Sequence, residues 1–231
     1  MNNITLTPRL ELIAKKISKN AVLADIGTDH AHLPIYLLEN GIIKSAIASD
    51  IRTGPLKKAE ENTKKYGFED KISLRLGAGL EKVKPNECDT ISIAGMGGET
   101  IAQILADAKW TNSENYTLLL QPMTMIYYLR KWLWQNGYEI LEENVCKEDH
   151  RRYVVMIVKG GYNKKDVPLY KCCVSDALLK ANGAKDYLQA QLKKENAALD
   201  GLKQAKSIDN DRLNEQQLIV DTLKQSLEDI L

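Results

Sequence analysis

Several things are scarce in this chain, and each scarcity narrows what it can be. Charge of one sign is not in excess: 32 Lys and Arg stand against 31 Asp and Glu in 231 residues. A chain that is basic throughout is excluded. The four cysteines are Cys88, Cys146 and the adjacent Cys172 and Cys173, with no Cys-x-x-Cys, and read as free thiols of a reducing compartment. No apolar run is long enough to span a bilayer, and Met1-Asn2-Asn3-Ile4-Thr5 is no signal peptide, so a cytoplasmic protein is expected. A dinucleotide fingerprint is also missing. Gly-x-Gly-x-x-Gly would need glycine where Asp29 and His32 stand. A pyrophosphate could not lie close over a helix that begins with an aspartate, because like charges repel there.

What is present is a βαβ pattern with acids at its strand ends. Residues 22–31 read Val-Leu-Ala-Asp-Ile-Gly-Thr-Asp-His-Ala, and Asp50 closes the next apolar run 25 residues after Asp25. This spacing suits an adenosine cofactor. Gly27 lets the backbone come close to the ligand, and Asp50 can accept both ribose hydroxyls. S-adenosylmethionine carries no phosphate, and its ammonium and sulfonium tolerate nearby acids, so the pattern favours a methyltransferase over a dehydrogenase. A βα turn without a ligand is the plainer alternative.

The rest of the chain frames that unit. A helix with Leu10, Ile13, Ala14 and Ile17 on one face is expected after Thr7-Pro8. Strands are expected over 22–26, 45–49, 72–76, 90–94 and 116–120, with a helix over 31–40, a long one capped by Thr53, and others over 99–108 and 125–136. Two further strands, over 138–146 and 153–158, form a hairpin. Five β-α units and a hairpin imply an α/β fold with a seven-stranded, mostly parallel sheet and one antiparallel strand. Beyond Gly160-Gly161 the pattern turns helical. Leu188, Leu192, Leu199 and Leu202, then Leu213, Val220, Leu223, Leu227 and Ile230, recur at three-and-four spacing around a turn at 207–210 that Asp209 or Asn210 can cap. An antiparallel, coiled-coil-like helical hairpin is expected over 163–231, after a cofactor-binding part over 1–162 that should fold alone. The arm over 171–206 has a net charge of +3 and the arm over 207–231 a net charge of −4. The arms can compensate each other while Lys185, Lys193 and Lys194 face phosphates.

Other motifs are read against plainer alternatives. Gly77-Ala78-Gly79-Leu80 stands where a cofactor adenine would lie, and Gly95-Met96-Gly97-Gly98 where substrate-facing groups lie, though any βα turn can carry glycines. Asp29-His30-Ala31-His32 is not expected to bind metal, since residues two apart on a helix point to different faces and no third ligand is evident. Arg130-Lys131 and His150-Arg151-Arg152 could touch phosphates or be solvated, and Tyr127, Tyr128 and Trp132 read more readily as core than as a stacking platform.

Together these residues resemble the bacterial tRNA (adenine-22-N1)-methyltransferases. The matching runs are Arg9-Leu10, Ala24 to Pro34, Ser49-Asp50, Gly77 with Gly79-Leu80, Ile93 to Gly98, Gln121-Pro122 and Arg130-Lys131-Trp132-Leu133. The resemblance covers the whole chain. It implies a class I (Rossmann-like) methyltransferase fold, S-adenosylmethionine as cofactor, tRNA as partner, and methyl transfer to N1 of an adenine in the D-arm region. No membrane and no metal are implied, and a monomer is favoured. The cofactor set is then Asp25, Gly27, Thr28, Asp29, Asp50, Ile51, Gly77, Ala78, Gly79, Leu80, Ala94, Gly95 and Met96. The substrate set is Arg9, Gly97, Gly98, Pro122, Arg130, Lys185, Lys193 and Lys194. One departure is Ala78, where the family often has an acid or amide that accepts from the cofactor's exocyclic amine.

Adenine N1 is already nucleophilic, so orientation matters more than a strong base. The product ring is cationic, and a carboxylate would stabilise it. Asp29 is the first catalytic candidate and His30 the second, with Gln121 placed to hydrogen-bond the base. N1 is hidden in a duplex, so the target must be unpaired or flipped. Two other readings stay open: a methyltransferase of small molecules or proteins, and an inactive RNA-binding module.

Overall fold

The structure, a computed structural model, describes residues 4–205 and 209–230. Helix α1 (Pro8–Lys16) precedes β1 (Ala21–Ile26), α2 (His32–Glu39), β2 (Ile43–Asp50), α3 (Thr53–Tyr66) and β3 (Ile72–Leu76). There follow β4 (Thr90–Gly97), α4 (Gly98–Asp107), β5 (Thr117–Thr124), α5 (Ile126–Gln135) and the hairpin β6 (Glu139–Glu148) and β7 (Arg151–Lys159). The chain ends in α6 (Asp176–Leu179), α7 (Ala184–Lys203) and α8 (Asn210–Asp229).

The seven strands form one sheet in the order β3-β2-β1-β4-β5-β7-β6. Strands β1 to β5 pair in parallel, and β7 runs antiparallel to both β5 and β6, so the hairpin contributes the one reversed strand expected. Both faces of the sheet are covered, which is why its strands read as unbroken apolar runs. In β5, Leu118 and Leu120 join the core under α4 and α5, while Leu119 joins the core under α1 and α2.

Three local expectations need correction. The five strand–helix units are four, because residues 77–89 after β3 form turns without a helix. Gly77, Gly79 and Pro85 interrupt any helical run there. Thr53 does not cap α3: it is the first helical residue, Arg52 takes the cap position, and no side-chain cap bond forms. Strands β4 and β5 run on to Gly97 and Thr124, with a register shift across Gly95 at φ +77°. At the other end of the chain Asp209 caps α8, accepting from Arg212 N at 3.1 Å. Residues 207 and 208 of the expected turn lie outside the described residues.

The helical hairpin is fused to the sheet at its base. Tyr187 and Leu188 of α7 and Ile219 and Leu223 of α8 belong to the same buried cluster as Leu118, Leu133 and Val154. A buried ion pair is sealed within this junction. Arg130 of α5, expected at a phosphate, is 0% exposed. Its Nε and Nη2 each donate to the Glu143 carboxylate of β6 at 2.8 Å, and Nη1 donates to the carbonyls of Cys172 and Cys173 at 2.9 Å. No RNA can reach it. A break near residue 160 would remove two of Arg130's acceptors and uncover the apolar face beneath the hairpin. The four cysteines are free thiols. Burial pushes the Cys88 and Cys173 thiols up to about 12, so neither is nucleophilic at neutral pH.

Removing one partner of this pair leaves a desolvated charge. Glu143→Gln is expected to lower unfolding free energy by about 3–5 kcal/mol, read as a shift in the denaturant midpoint. An unchanged midpoint would mean that the guanidinium finds water.

Candidate active site

The C-terminal ends of β1 to β4 meet where the strand order reverses, the place where open α/β sheets bind ligands. A cavity of about 490 Å3 opens there, within the ~300–1,000 Å3 common for small-molecule sites. Asp25, Gly27, Thr28, Asp29, Asp50, Ile51, Gly77, Ala78, Gly79, Ala94, Gly95 and Met96 all line it. Leu80 does not. It is 3% exposed and turned into the core beneath α4.

Backbone bonds hold the walls. Gly27 N and Thr28 N both donate to the Ser49 carbonyl, at 2.8 and 3.1 Å, which ties the turn after β1 to the end of β2. Gly77 N donates to the Asp50 carbonyl at 3.1 Å, tying the turn after β3 to the same strand end. Gly27 has φ +73°, a backbone conformation that favours glycine, and a Cβ there would stand 2.4 Å from Met96 Cε, the flexible end of a side chain that would have to move aside. His30 and Ala31 follow with φ of +64° and +58°, and Asn62 Nδ2 secures the His30 carbonyl at 2.9 Å.

The cavity is acidic. Asp50 is 4% exposed, and its Oδ1 accepts from Arg52 N at 2.8 Å. Asp25 is 7% exposed. Burial pushes its carboxyl up to about 6, and the charges of Asp29 and Asp50 push the same way. The hydroxyls of Thr28 and Ser92 pull it down, although neither reaches regular hydrogen-bond geometry. Both hydroxyls are buried and unpartnered beside the acid, as fits a site for a polar ligand. Three carboxylates against the guanidiniums of Arg9 and Arg52 leave the wall with an excess of acid, which disfavours a pyrophosphate and fits a ligand with an ammonium, a sulfonium and a ribose. S-adenosylmethionine fits this donor set. Asp50 would take its ribose, Asp25 would face its cationic end, and the backbone at Gly77–Gly79 would meet its base.

The catalytic candidates separate. Asp29 stands on the cavity rim with a side chain 77% exposed. His30 is off the cavity wall, with Nε2 3.5 Å from Asp29 Oδ1 and its ring edge-on to His32. Gln121 is fully buried and saturated. Its Oε1 accepts from Gly95 N at 3.0 Å and Arg9 Nη1 at 3.3 Å, and its Nε2 donates to the Pro122 carbonyl at 3.0 Å. It fixes the cavity floor and has nothing left for a base. Among the described residues no group of three or more His, Cys, Asp or Glu could hold a metal.

The substrate candidates are scattered. Arg9 lines the cofactor cavity itself, anchored by Glu148 at 3.5 Å. Gly98 serves packing: a Cβ would stand 2.4 Å from the Met125 carbonyl oxygen, so glycine lets α4 start against α5. Gly97 adjoins the Thr124 hydroxyl on β5. Pro122 and Lys194 line a second cleft of about 720 Å3 between β5 and the helical hairpin. Lys185 and Lys193 are exposed on α7. Sequence reasoning missed Ser92, Arg52, Thr100 and Ile104 around the cofactor cavity. Ser92 had a signal, being the residue of β4 level with Asp25 in the parallel pairing.

Sheet order and acidic cavity define a Rossmann-like, class I methyltransferase fold, and the family described as "Methyltransferase domain" matches residues 6–156. The chain is 40% identical over 161 residues to the tRNA (adenine(22)-N(1))-methyltransferase of Bacillus subtilis, a span of 70% of this chain and 68% of that protein. The crystal structure of the B. subtilis M1A22 tRNA methyltransferase TrmK superposes with a TM-score of 0.85 at 31% identity, covering 97% of this chain and 99% of that one. The structure of M. capricolum TrmK, in complex with the natural cofactor product S-adenosyl-homocysteine, gives 0.81 at 28% identity over 98% and 99% of the two chains. The chain belongs to the bacterial tRNA (adenine(22)-N(1))-methyltransferase family.

Two outcomes follow from the cavity. Asp50→Ala is expected to weaken S-adenosylmethionine binding by on the order of 2–3 kcal/mol in calorimetry, with the melting temperature retained. Asp25 gives a pH dependence whose sign is fixed by its raised value. Ionising the buried acid opposes folding as pH rises through about 6, and a cationic ligand favours the ionised form. Cofactor affinity is therefore expected to fall about fourfold from about pH 7.5 to about pH 5.5. Asp25→Asn should be flat over that range, and a flat wild-type profile would contradict the assignment.

Proposed function

We propose that this chain transfers the methyl group of S-adenosylmethionine to N1 of adenine 22 of tRNA. The observation that carries this reading is the acidic cavity at the strand-order reversal, set in a chain that the structure of the B. subtilis M1A22 methyltransferase matches over 97% of its length. Bound S-adenosylmethionine supplies an electrophilic methyl group on a sulfonium.

The residues of this chain do the rest. Asp50 and the 77–79 turn set the position of the cofactor, and the Gly27 turn admits it closely. Asp29 stands at the rim, where the target ring would approach. As N1 gains the methyl group the ring gains positive charge, and the Asp29 carboxylate stabilises that charge and can take a proton from the exocyclic amine. Holding N1 in line with the methyl group contributes more than basicity. The target reaches the rim unpaired, since N1 is hidden in a duplex.

Residues 1–162 form the cofactor-binding part in this reading, and 163–231 the RNA-binding part. Exposed Lys185, Lys193 and Lys194 on α7 support that role. Among the described residues no helix is long and apolar enough to cross a membrane. A monomer acting on tRNA in the cytoplasm is the corresponding assignment.

The test is incubation with an unmodified tRNA transcript and methyl-labelled cofactor, followed by nucleoside mapping. The label is expected in N1-methyladenosine at position 22, with none in a transcript whose adenine 22 is replaced by guanine. Asp29→Ala should keep its melting temperature and cofactor affinity while turnover falls on the order of 100-fold. Label elsewhere in the tRNA, or none, defeats the reading. Near-normal turnover in Asp29→Ala removes only the role of that residue.

A further inference from the structure

The cleft between β5 and the helical hairpin has no task in the reaction so far described. It begins at Pro122 and Met123, directly after Gln121, whose Oε1 binds Gly95 N in the cofactor cavity at 3.0 Å. The end of β5 is thus shared by both cavities. The facing wall comes from α7 and α8.

The floor of the cleft carries a carboxylate where leucine would be expected. Leu188, Leu192, Leu199 and Leu202 mark the inner seam of α7 at alternating four- and three-residue steps, and Glu195 occupies the step between Leu192 and Leu199. Gln216 holds the equivalent place on α8, between Leu213 and Val220. Glu195 is 8% exposed and lines the cleft. Its Oε1 accepts from the Tyr127 hydroxyl at 3.2 Å, and its Oε2 accepts from Gln216 Nε2 at 2.9 Å. Lys194 Nζ lies 3.8 Å from Oε1, beyond hydrogen-bond reach. Each carboxylate oxygen can therefore accept a further bond. A buried carboxylate in a helical seam costs stability that leucine would not.

We propose that this cleft holds an unpaired guanine of the RNA substrate, a second base distinct from the target adenine. The inference rests on the tRNA reading above. Guanine presents two adjacent donors, N1–H and the 2-amino group, on its Watson–Crick edge, which match the two oxygens of one carboxylate. Adenine, cytosine and uracil each put a donor beside an acceptor, which a carboxylate repels. Tyr128 and Met125, 39% and 50% exposed at the lip, offer surfaces for stacking. His150 on the β6–β7 turn and Arg151 at the start of β7, with Lys194 of α7, give the rim the charge that flanking phosphates need. A volume of about 720 Å3 accommodates a nucleotide with its phosphate.

The alternative for the Glu195–Gln216 pair is a polar layer that only fixes the register of α7 on α8. Base selectivity separates the two. Saturation-transfer NMR on the whole chain, with GMP, AMP, CMP and UMP in turn, should show GMP contacts strongest and lost in Glu195→Gln. In steady-state methyl transfer, Glu195→Gln should raise KM for tRNA about tenfold, with kcat within about twofold and cofactor affinity unchanged. Tyr128→Ala, which removes an exposed ring, should raise KM in the same way. Equal contacts from all four nucleotides, or an unchanged KM in both variants, overturns the proposal. A lowered melting temperature in Glu195→Gln with unchanged KM in both variants assigns the pair to register alone. Glu195-dependent GMP binding with unchanged KM for tRNA gives the cleft to a free guanine nucleotide and likewise overturns the RNA subsite. A wild-type chain that methylates no tRNA removes the functional reading, and the nucleotide series still decides whether the cleft selects guanine.

Discussion

The Arg130 guanidinium fixes how the two halves of this molecule meet. It leaves α5, spans to β6 through both oxygens of Glu143, and takes two carbonyls from the segment ahead of the helical hairpin. Its planar fork allows little rotation without losing a bond, and each lost bond strands a group without water. Helix α5 also carries Tyr127, which reaches Glu195 on α7. The position of the hairpin relative to the end of β5, and so the shape of the cleft between them, is set by this one buried charge and its four acceptor contacts. The pair need not be worth more than an apolar substitute in stability; its directionality supplies specificity of docking.

The cofactor cavity depends on a different economy of charge. Asp25, Asp29 and Asp50 converge at strand ends, and no lysine lines the wall. Asp25 suffers for this through burial and the neighbouring carboxylates. A phosphate-bearing cofactor would add to the repulsion, whereas a cationic one relieves it. His150 and Arg151 near the β6–β7 turn and Lys194 of α7 stand at the second cleft, where an RNA backbone could meet them without crossing the acidic wall, and Arg52 at the cofactor cavity lies against Asp50. Arg9 also lines the cofactor cavity, and it is tied to Gln121 and Glu148. In that position it joins the floor of the cofactor site to the base of the β6–β7 turn.

Much of the fold was legible because it depends on local pattern. Alternation of apolar runs with amphipathic segments requires a parallel sheet, and a hairpin after it adds one reversed strand. The acids and glycines of the cofactor cavity were legible for the same reason: a strand end and the turn after it are adjacent in sequence, so Asp25-Ile26-Gly27 and Ser49-Asp50 declare their own placement. Where local pattern was ambiguous the reading failed. The 77–89 segment has the length of a crossover, yet its glycines and Pro85 leave it without a helix, and Leu80 turns from the ligand into the core.

The sequence by itself determined the order of elements, the cofactor class and the family, since each is encoded in spacing along a strand–turn–helix unit or in runs of matched residues. Only the tertiary structure decided what individual polar side chains face. Arg130 reads as a surface cation until Glu143 and the Cys172 and Cys173 carbonyls close around it. Gln121 reads as a contact for the base until Gly95 and Arg9 consume its carbonyl oxygen, the latter from 112 positions away. Nothing in the sequence signals what Glu195 faces, and Tyr127 and Gln216 hold it buried at a cleft. A side chain's chemistry is set by its solvation and its partners, and in each of these residues the partners come from distant parts of the chain. Spacing along one segment carries no information about them.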